Sequence, residues 1–491
     1  MLLLLAGLFA LLGLEIPSNH DLTWCYPLCI LLEWALITAV MVGLFYLFQR
    51  RGGAPAFTAF LCWGIGMAQF FVITFKSMPI QPADLSALGT AAAVSGGFTY
   101  IFSAFGLYGM AFLAISMLLC SLAGVFRPEP AKRNRRLFLT NLLIGALCLV
   151  GVGAHVTLID YYNTLNITVY TWRPLESYYR QGFIPTFISS AQTIKPPVPK
   201  DYDMAKAEKL EKKLAGEYDE TTGKTWQRTD AEAQFAEEKP TVIAIMNETF
   251  SDLSIYQNMH AGYNGPQFFK NLPDALSRGT LYVSAYGGGT CNTEFEFLTG
   301  NSMAFLPSGS IPYQQYILDD APSMASLLRE AGYRTLAFHP GERTSWQRDR
   351  AYPRLGFDQF KCGEDMDVPQ SMEHGYVSDR SDFEQIIWEF EHKAAGEPLF
   401  LFNVTIQNHG SYTVEDYPAR VQLTDAPGKY PMAEQYLTLA NETDLAFQKL
   451  IDYFSQQEEP TILVMFGDHQ PSVEQEFLDL AYGVRQEDMT M

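Results

Sequence analysis

The stretch that decides the fold runs Thr461-Ile462-Leu463-Val464-Met465-Phe466-Gly467-Asp468-His469. Six residues form an apolar run, a glycine closes it, and the next two side chains are a carboxylate and an imidazole. An uninterrupted apolar run of this length, bounded by a turn residue, reads as a strand buried on both faces of a sheet. It delivers Asp468 and His469 to the carboxyl edge, where open α/β sheets bind ligands. A carboxylate beside an imidazole is half a site for a divalent cation of the zinc or manganese type.

Four more apolar runs upstream repeat the pattern. Thr241–Met246 leads into Asn247 and Glu248, and Leu281–Tyr286 leads into Gly287-Gly288-Gly289-Thr290. Thr335–Phe338 precedes His339, and Leu399–Val404 precedes Asn408 and His409. Strands alternating with helical stretches from Pro240 onward predict an α/β sheet, each strand ending in a group able to ligate, attack or bind phosphate. The helical pattern of Asn292 to Leu298 places Thr290 near a helix amino terminus, where backbone N–H groups and the helix dipole favour a phosphate. Two readings of Thr290 stand side by side: a nucleophile activated by a metal, or the N-cap of that helix.

The amino-terminal third is of another kind. Apolar runs near residues 2–16, 26–48, 56–75, 99–126 and 137–158 approach or reach the roughly 20 residues a bilayer core requires. The first begins at Met1 but lacks a basic start and a small-residue cleavage site, so it reads as a helix and not a signal peptide. Residues 1–158 hold eight Lys/Arg against five Asp/Glu, while the whole chain has a net charge of −20. The remainder is therefore strongly acidic, which excludes nucleic acid as a partner. Arg50–Arg51 and the cluster Arg127, Lys132, Arg133, Arg135 and Arg136 mark cytoplasmic loops. Alternation from them places everything after about Val156 outside the cell, with the protein multi-pass in the plasma membrane.

Three domains are expected: a transmembrane domain of about five helices over 1–158, a juxtamembrane connector over 159–238, and a catalytic domain over 239–491. The connector contains Pro196, Pro197 and Pro199 and a charged helical stretch, Ala205 to Gly216. Cys25, Cys29, Cys62, Cys120 and Cys148 accompany apolar runs and behave as small hydrophobes. Cys291 and Cys362 alone belong to the outer domain, too few for a disulfide framework.

Asn247–Glu248–Thr249–Phe250–Ser251, Gly289–Thr290, His339 with Trp346–Gln347–Arg348–Asp349, Asn408–His409 and Gly467–Asp468–His469 together resemble the lipoteichoic acid synthase family. These are membrane-anchored phosphoglycerol transferases of the sulfatase/alkaline phosphatase superfamily. The membrane third resembles that family too, including the segment Phe75 to Thr90. The resemblance implies an alkaline phosphatase/sulfatase-like α/β sandwich behind a polytopic α-helical membrane domain. It implies metal ligation by Glu248, Thr290, Asp468 and His469, with Thr290 also the nucleophile. It assigns His339, Trp346, Arg348 and His409 to the phosphate and glycerol of the substrate, Arg348 and His409 taking part in catalysis. The mostly hard donor set suits Mn2+, with Zn2+ or Mg2+ as alternatives.

The expected activity is transfer of phosphoglycerol from phosphatidylglycerol to a glycolipid or cell-wall polymer through a phospho-threonine. Two departures from the family stand out. Its members usually continue with further strands after Gly-Asp-His, so a carboxyl-terminal truncation is expected, and Cys291, Asn292 and Gln470 differ from the best-known synthases, leaving the acceptor open. A formylglycine sulfatase is disfavoured because Cys291–Asn292–Thr293–Glu294–Phe295 does not supply the Cys-x-Pro-x-Arg signal. The rival enzyme is a phosphoethanolamine transferase, whose second cluster of His and Asp ligands does not assemble from this sequence. The rival without activity is a membrane sensor or scaffold built on an inactive sulfatase-like domain.

Overall fold

A computed structural model describes residues 1–76, 78–85, 103–125, 135–169, 174–193, 198, 200–255, 263–307, 309–317, 319–424 and 426–485. Arg127, Lys132, Arg133, Pro196, Pro197 and Pro199, with residues 77 and 86–90 of the 75–90 segment, lie outside the described residues. The chain divides into two compact units, one holding Met1–Ser86, Thr99–Lys195 and Ala304–Ser310, the other Pro196–Met303 and Ile311–Met491.

The first unit is helical: α1 (Leu2–Glu15), α2 (Pro27–Leu47), α3 (Gly53–Lys76), α4 (Ala104–Val125) and α5 (Arg135–Leu158). Among the described residues, the last four are long and apolar enough to cross a membrane, and α1 is a shorter apolar helix. Two further helices, α6 (Pro174–Gln181) and α7 (Phe183–Gln192), belong to the same unit. Buried carboxylates dock them. Glu15 Oε2 accepts from Tyr178 Oη at 2.8 Å, Glu15 Oε1 accepts from Phe183 N at 2.8 Å, and Glu33 Oε1 accepts from Ile184 N at 2.9 Å. These bonds serve the N–H groups that the start of α7 cannot satisfy internally. Part of the stretch read from sequence as connector thus packs on the membrane helices. Beyond it α8 (Met204–Glu220) and α9 (Trp226–Glu237) bury no residue.

The second unit is built on a five-stranded sheet. Its elements include β1 (Thr241–Asn247), α10 (Thr290–Thr299), α11 (Met324–Glu330), β2 (Arg334–His339) and α12 (Arg348–Arg354). Next along the chain come β3 (Gln359–Cys362), β4 (Met372–Glu373), β5 (Tyr376–Val377), α13 (Asp379–Glu391), β6 (Leu399–Val404), α14 (Pro431–Phe454), β7 (Thr461–Gly467) and α15 (Gln475–Tyr482). The sheet order is β3-β2-β6-β1-β7, and every pairing is parallel. Alternation sorts the two faces. Ile243, Ile245, Leu399 and Leu401 pack with Phe383 and Ile386 of α13 and with Phe447 and Leu450 of α14. On the opposite face Phe402 stacks on Phe297 of α10 at 5.7 Å. Each such fully buried side chain contributes about 1.5–3 kcal/mol.

One expected strand is absent. Leu281–Tyr286 is irregular, with Leu281 and Tyr282 exposed. Its apolar pattern has the right composition for a strand but finds no neighbouring ladder among the described residues. Among the described residues β7 is an edge strand, and Ile462 and Val464 on one of its faces are 47% and 41% exposed.

Candidate active site

Register builds the site. Asn247 pairs with Gly467 across β1 and β7, so the next residues, Glu248 and Asp468, emerge side by side at the carboxyl edge. Gly467 is required for this: a Cβ there would lie 1.9 Å from the Phe250 carbonyl oxygen. Thr249 sits with φ at 51°, a conformation an L-residue adopts at a cost. Its backbone N donates to Asp468 Oδ1 at 2.6 Å, and its hydroxyl donates to Glu248 Oε1 at 2.8 Å.

Glu248, Asp468 and His469 are buried, and each offers a ligand atom within 4.8 Å of the others. His469 Nε2 lies 3.2 Å from Asp468 Oδ2 and 3.6 Å from Glu248 Oε1. Asp468 Oδ2, fully buried, receives no hydrogen bond of regular geometry. Burial, with the Glu248 charge beside it, pushes the Asp468 carboxyl up to about 7. Burial works against the charged His469 ring, yet Asp468 and Glu248 outweigh it and raise the imidazole above its ordinary value. Two carboxylates crowded into a dry site with an under-satisfied oxygen are a donor set that a divalent cation would complete.

Thr290 is the first residue of α10, and Gly289, with φ at 88°, is the N-cap. The N-cap reading of Thr290 is therefore overturned: three consecutive positive-φ glycines, 287 to 289, carry the turn, and threonine begins the helix proper. Thr290 is buried, and its hydroxyl donates to Glu248 Oε2 at 3.3 Å. The hydroxyl, both carboxylates and the imidazole are thus in one place, at the positive end of a helix.

The remaining candidates follow the neighbouring strands: His339 ends β2, Trp346 and Arg348 lie in the turn and helix after it, and His409 lies in the segment after β6. His339 is buried and its Nδ1 bonds the Val404 carbonyl at 2.8 Å. Burial and the nearby Arg348 charge hold it well below its usual range, so it is a neutral ring. His409, half-buried, bonds the Gly410 carbonyl through Nδ1 at 2.7 Å, with the Tyr376 hydroxyl 3.2 Å from the same nitrogen. Trp346 is half-buried in a turn where it and Gln347 have φ of 57° and 60°.

Arg348 is 2% exposed, and its Nε and Nη2 reach Glu294 Oε1 at 3.1 and 2.6 Å. Burial opposes its charge, and the Glu294 carboxylate overcomes that opposition and raises it. Tyr352 Oη donates to Glu294 Oε2 at 2.7 Å. Glu294 is a residue that reading the sequence missed. It lies one helical turn after Thr290, and that spacing was the only available signal. Asp379, a buried acid at the start of α13, was also missed; burial pushes it up to about 6 against hydrogen bonds from Thr443 and Asn247.

The profile of the family described as Sulfatase matches residues 240–490. A Rhizobium meliloti (strain 1021) protein named "Putative cyclic beta-1,2-glucan modification protein" is 35% identical over 256 residues, 50% of this chain and 38% of its own length. A lipoteichoic acid synthase of Staphylococcus saprophyticus is 22% identical over 240 residues, 48% of this chain and 36% of its own. The chain spans well under half the length of these curated relatives. Among solved structures, the integral membrane lipooligosaccharide phosphoethanolamine transferase A of Neisseria meningitidis superposes with a TM-score of 0.50. At 11% identity it covers 95% of this chain and 82% of its own, a likeness of fold that includes the helical unit. The resemblance first carried by strand-end motifs is borne out.

Proposed function

Since the chain belongs to the sulfatase family, we propose that it is a membrane-embedded, metal-dependent transferase that moves phosphoglycerol from phosphatidylglycerol to a hydroxyl of a cell-envelope glycan or polymer. The observation that carries this reading is the Thr290 hydroxyl, at a helix amino terminus, 3.3 Å from a carboxylate of the Glu248–Asp468–His469 cluster. Mn2+, or Zn2+ or Mg2+ in its place, held by Glu248, Thr290, Asp468 and His469, would supply positive charge that acidifies the hydroxyl and neutralises phosphate.

In the first half-reaction Thr290 Oγ1 bonds to phosphorus, its proton passing toward the Glu248 carboxylate it already faces. The bond from phosphorus to diacylglycerol oxygen breaks, and His409 supplies the proton that lets the alcohol depart. In the second half-reaction an acceptor hydroxyl attacks the phosphoglycerol-threonine, Thr290 is expelled and both protons return. The amino terminus of α10, with its positive dipole end, would favour the charge that grows on the phosphoryl oxygens. Neutral His339 suits a hydroxyl of the glycerol better than an anion. Arg348 meets substrate with Glu294 already on two of its donors, so the pair offers direction with little net charge. Trp346 would wall the glycerol.

The relative from Rhizobium meliloti is named for glucan modification, which supports a glycan as the acceptor in preference to a growing polymer. A phosphoethanolamine transferase is the weaker reading, because among the described residues only one group of at least three acidic, His or Cys side chains is placed to hold a metal. We place Arg50–Arg51 and the start of α5 with Arg135–Arg136 in the cytoplasm and the catalytic unit outside.

The test is full-length protein in phosphatidylglycerol vesicles with Mn2+, following diacylglycerol release and the intact mass of the Thr290 peptide. Thr290→Ala should abolish release while lowering stability by only about 1 kcal/mol, the worth of one hydrogen bond. Thr290→Ser should retain part of the turnover, and wild type should carry a phosphoglycerol adduct. Normal turnover by Thr290→Ala would remove the covalent mechanism.

A further inference from the structure

We propose that Asp379 is a positioning residue, its buried carboxylate tying the end of β1, which carries Glu248, to the end of β6, which leads to His409. The inference rests on the site roles given to Glu248 and His409 under the proposed function.

Asp379 Oδ2 accepts from Asn247 Nδ2 at 2.9 Å and from Thr443 Oγ1 at 2.6 Å. Asn247 Oδ1 accepts in turn from Asn408 Nδ2 at 3.1 Å, and that same amide reaches Thr443 Oγ1 at 3.0 Å. The Asp379 backbone N donates to Gln407 Oε1 at 2.9 Å, and Gln407 Nε2 reaches Asn408 Oδ1 at 3.1 Å. All five residues are at most 1% exposed. Asn247 immediately precedes Glu248, and Asn408 immediately precedes His409.

The logic of the cluster is in its donors and acceptors. An ionised carboxylate accepts only, so it forces Asn247 to turn its NH2 inward and its carbonyl toward Asn408. That choice dictates the orientation of Asn408 as well. One anion at the start of α13 therefore sets two side-chain amides and, through them, the backbone on both sides of the site. Asp379 has only neutral hydrogen-bonding partners here. A buried carboxylate so placed costs stability, which a purely space-filling role would not require. Asp379 also interacts with the Thr405 hydroxyl, which accepts from the Glu248 backbone N at 3.0 Å, while Thr405 N donates to the Met246 carbonyl at 3.1 Å, a backbone tie between β1 and the end of β6 that does not pass through Asp379. Losing Asp379 should therefore shift the site without unfolding it.

The experiment compares Asp379→Ala and Asp379→Asn with wild type in the full-length chain. Asn retains an oxygen for Asn247 and Thr443; Ala retains none. Amide hydrogen exchange is followed in peptides covering 246–250 and 405–410, alongside Mn2+ affinity and thermal unfolding. Ala should speed exchange in both peptides together and weaken Mn2+ binding on the order of tenfold, the usual effect of losing support behind a ligand. Asn should stay within about threefold of wild type on the same scale. Exchange faster in only one of the two peptides, uniformly faster throughout the catalytic unit, or unchanged would overturn the proposal. Failure of wild type to bind Mn2+ would overturn the metal reading instead, and the exchange arm would still decide Asp379.

Discussion

Glu294 and Arg348 allow a quantitative test of how the site is held. The pair is buried to 0% and 2% exposure, with Nη2 to Oε1 at 2.6 Å and Tyr352 Oη donating to the other carboxylate oxygen. Glu294→Ala leaves a guanidinium in the interior without a counter-charge, a loss of about 3–5 kcal/mol. At about 2–4 °C per kcal/mol for a unit of this size, the transition of the catalytic unit should fall by roughly 10 °C. Arg348→Met should cost about as much, because it strands the carboxylate. The double variant Glu294→Leu/Arg348→Met removes both charges and supplies apolar volume, so it should be more stable than either Glu294→Leu or Arg348→Met alone. The assay is calorimetric unfolding of the full-length chain in detergent, read as a double-mutant cycle. Additive losses, or a Glu294→Ala transition unmoved from wild type, would refute the buried-pair argument and return Arg348 to its whole fork of donors.

The site geometry sets two further outcomes, and the basic residues beside the apolar helices a third. Gly467→Ala should cost about 3 kcal/mol or more and abolish Mn2+ binding, since its Cβ meets the Phe250 carbonyl; calorimetry and elemental analysis check this. Burial and Glu248 raise Asp468 to about 7, so the folded metal-free chain keeps a proton that the unfolded chain loses near about pH 4. Stability of the metal-free chain should therefore fall as pH rises through that window, while Mn2+, which must displace the proton, should raise the transition more at about pH 8 than at about pH 5; the opposite order would contradict the assignment. Reporter fusions near Lys200 should be active outside the cell and those near Lys132 only in the cytoplasm, the reverse pattern overturning the orientation.

Much of this architecture is legible in the chain because parallel strands buried on both faces appear as unbroken apolar runs. Leu399–Val404 is of this kind; Thr461–Phe466 has the same look but is half-exposed at the edge of the sheet, and in both the residues after the run lie at the carboxyl edge. Leu281–Tyr286 has the same look and is no strand, because composition cannot report whether a neighbouring ladder exists. Thr290 was ambiguous for a subtler reason. The N-cap and first helical positions differ by one residue, and the backbone angle of Gly289, not any side-chain preference, separates them. Glu294 and Asp379 were invisible for the opposite reason. An isolated acid in an amphipathic helix looks like surface, and only packing against Arg348 in one case and two strand ends in the other makes it interior.

Among the described residues, the strand that carries Asp468 and His469 has a neighbour on one side only. β7 is zipped to β1, no described strand lies on its other flank, and Ile462 and Val464 on one of its faces are exposed. Edge strands open more readily than central ones, and here two of the proposed ligands ride on the edge while Glu248 rides on the strand inside it. A cation gripping all three would act as a rivet across the β1–β7 seam. Its removal should loosen β7 before any other strand, so chelation would dismantle the binding site and release the flank of the sheet in a single event.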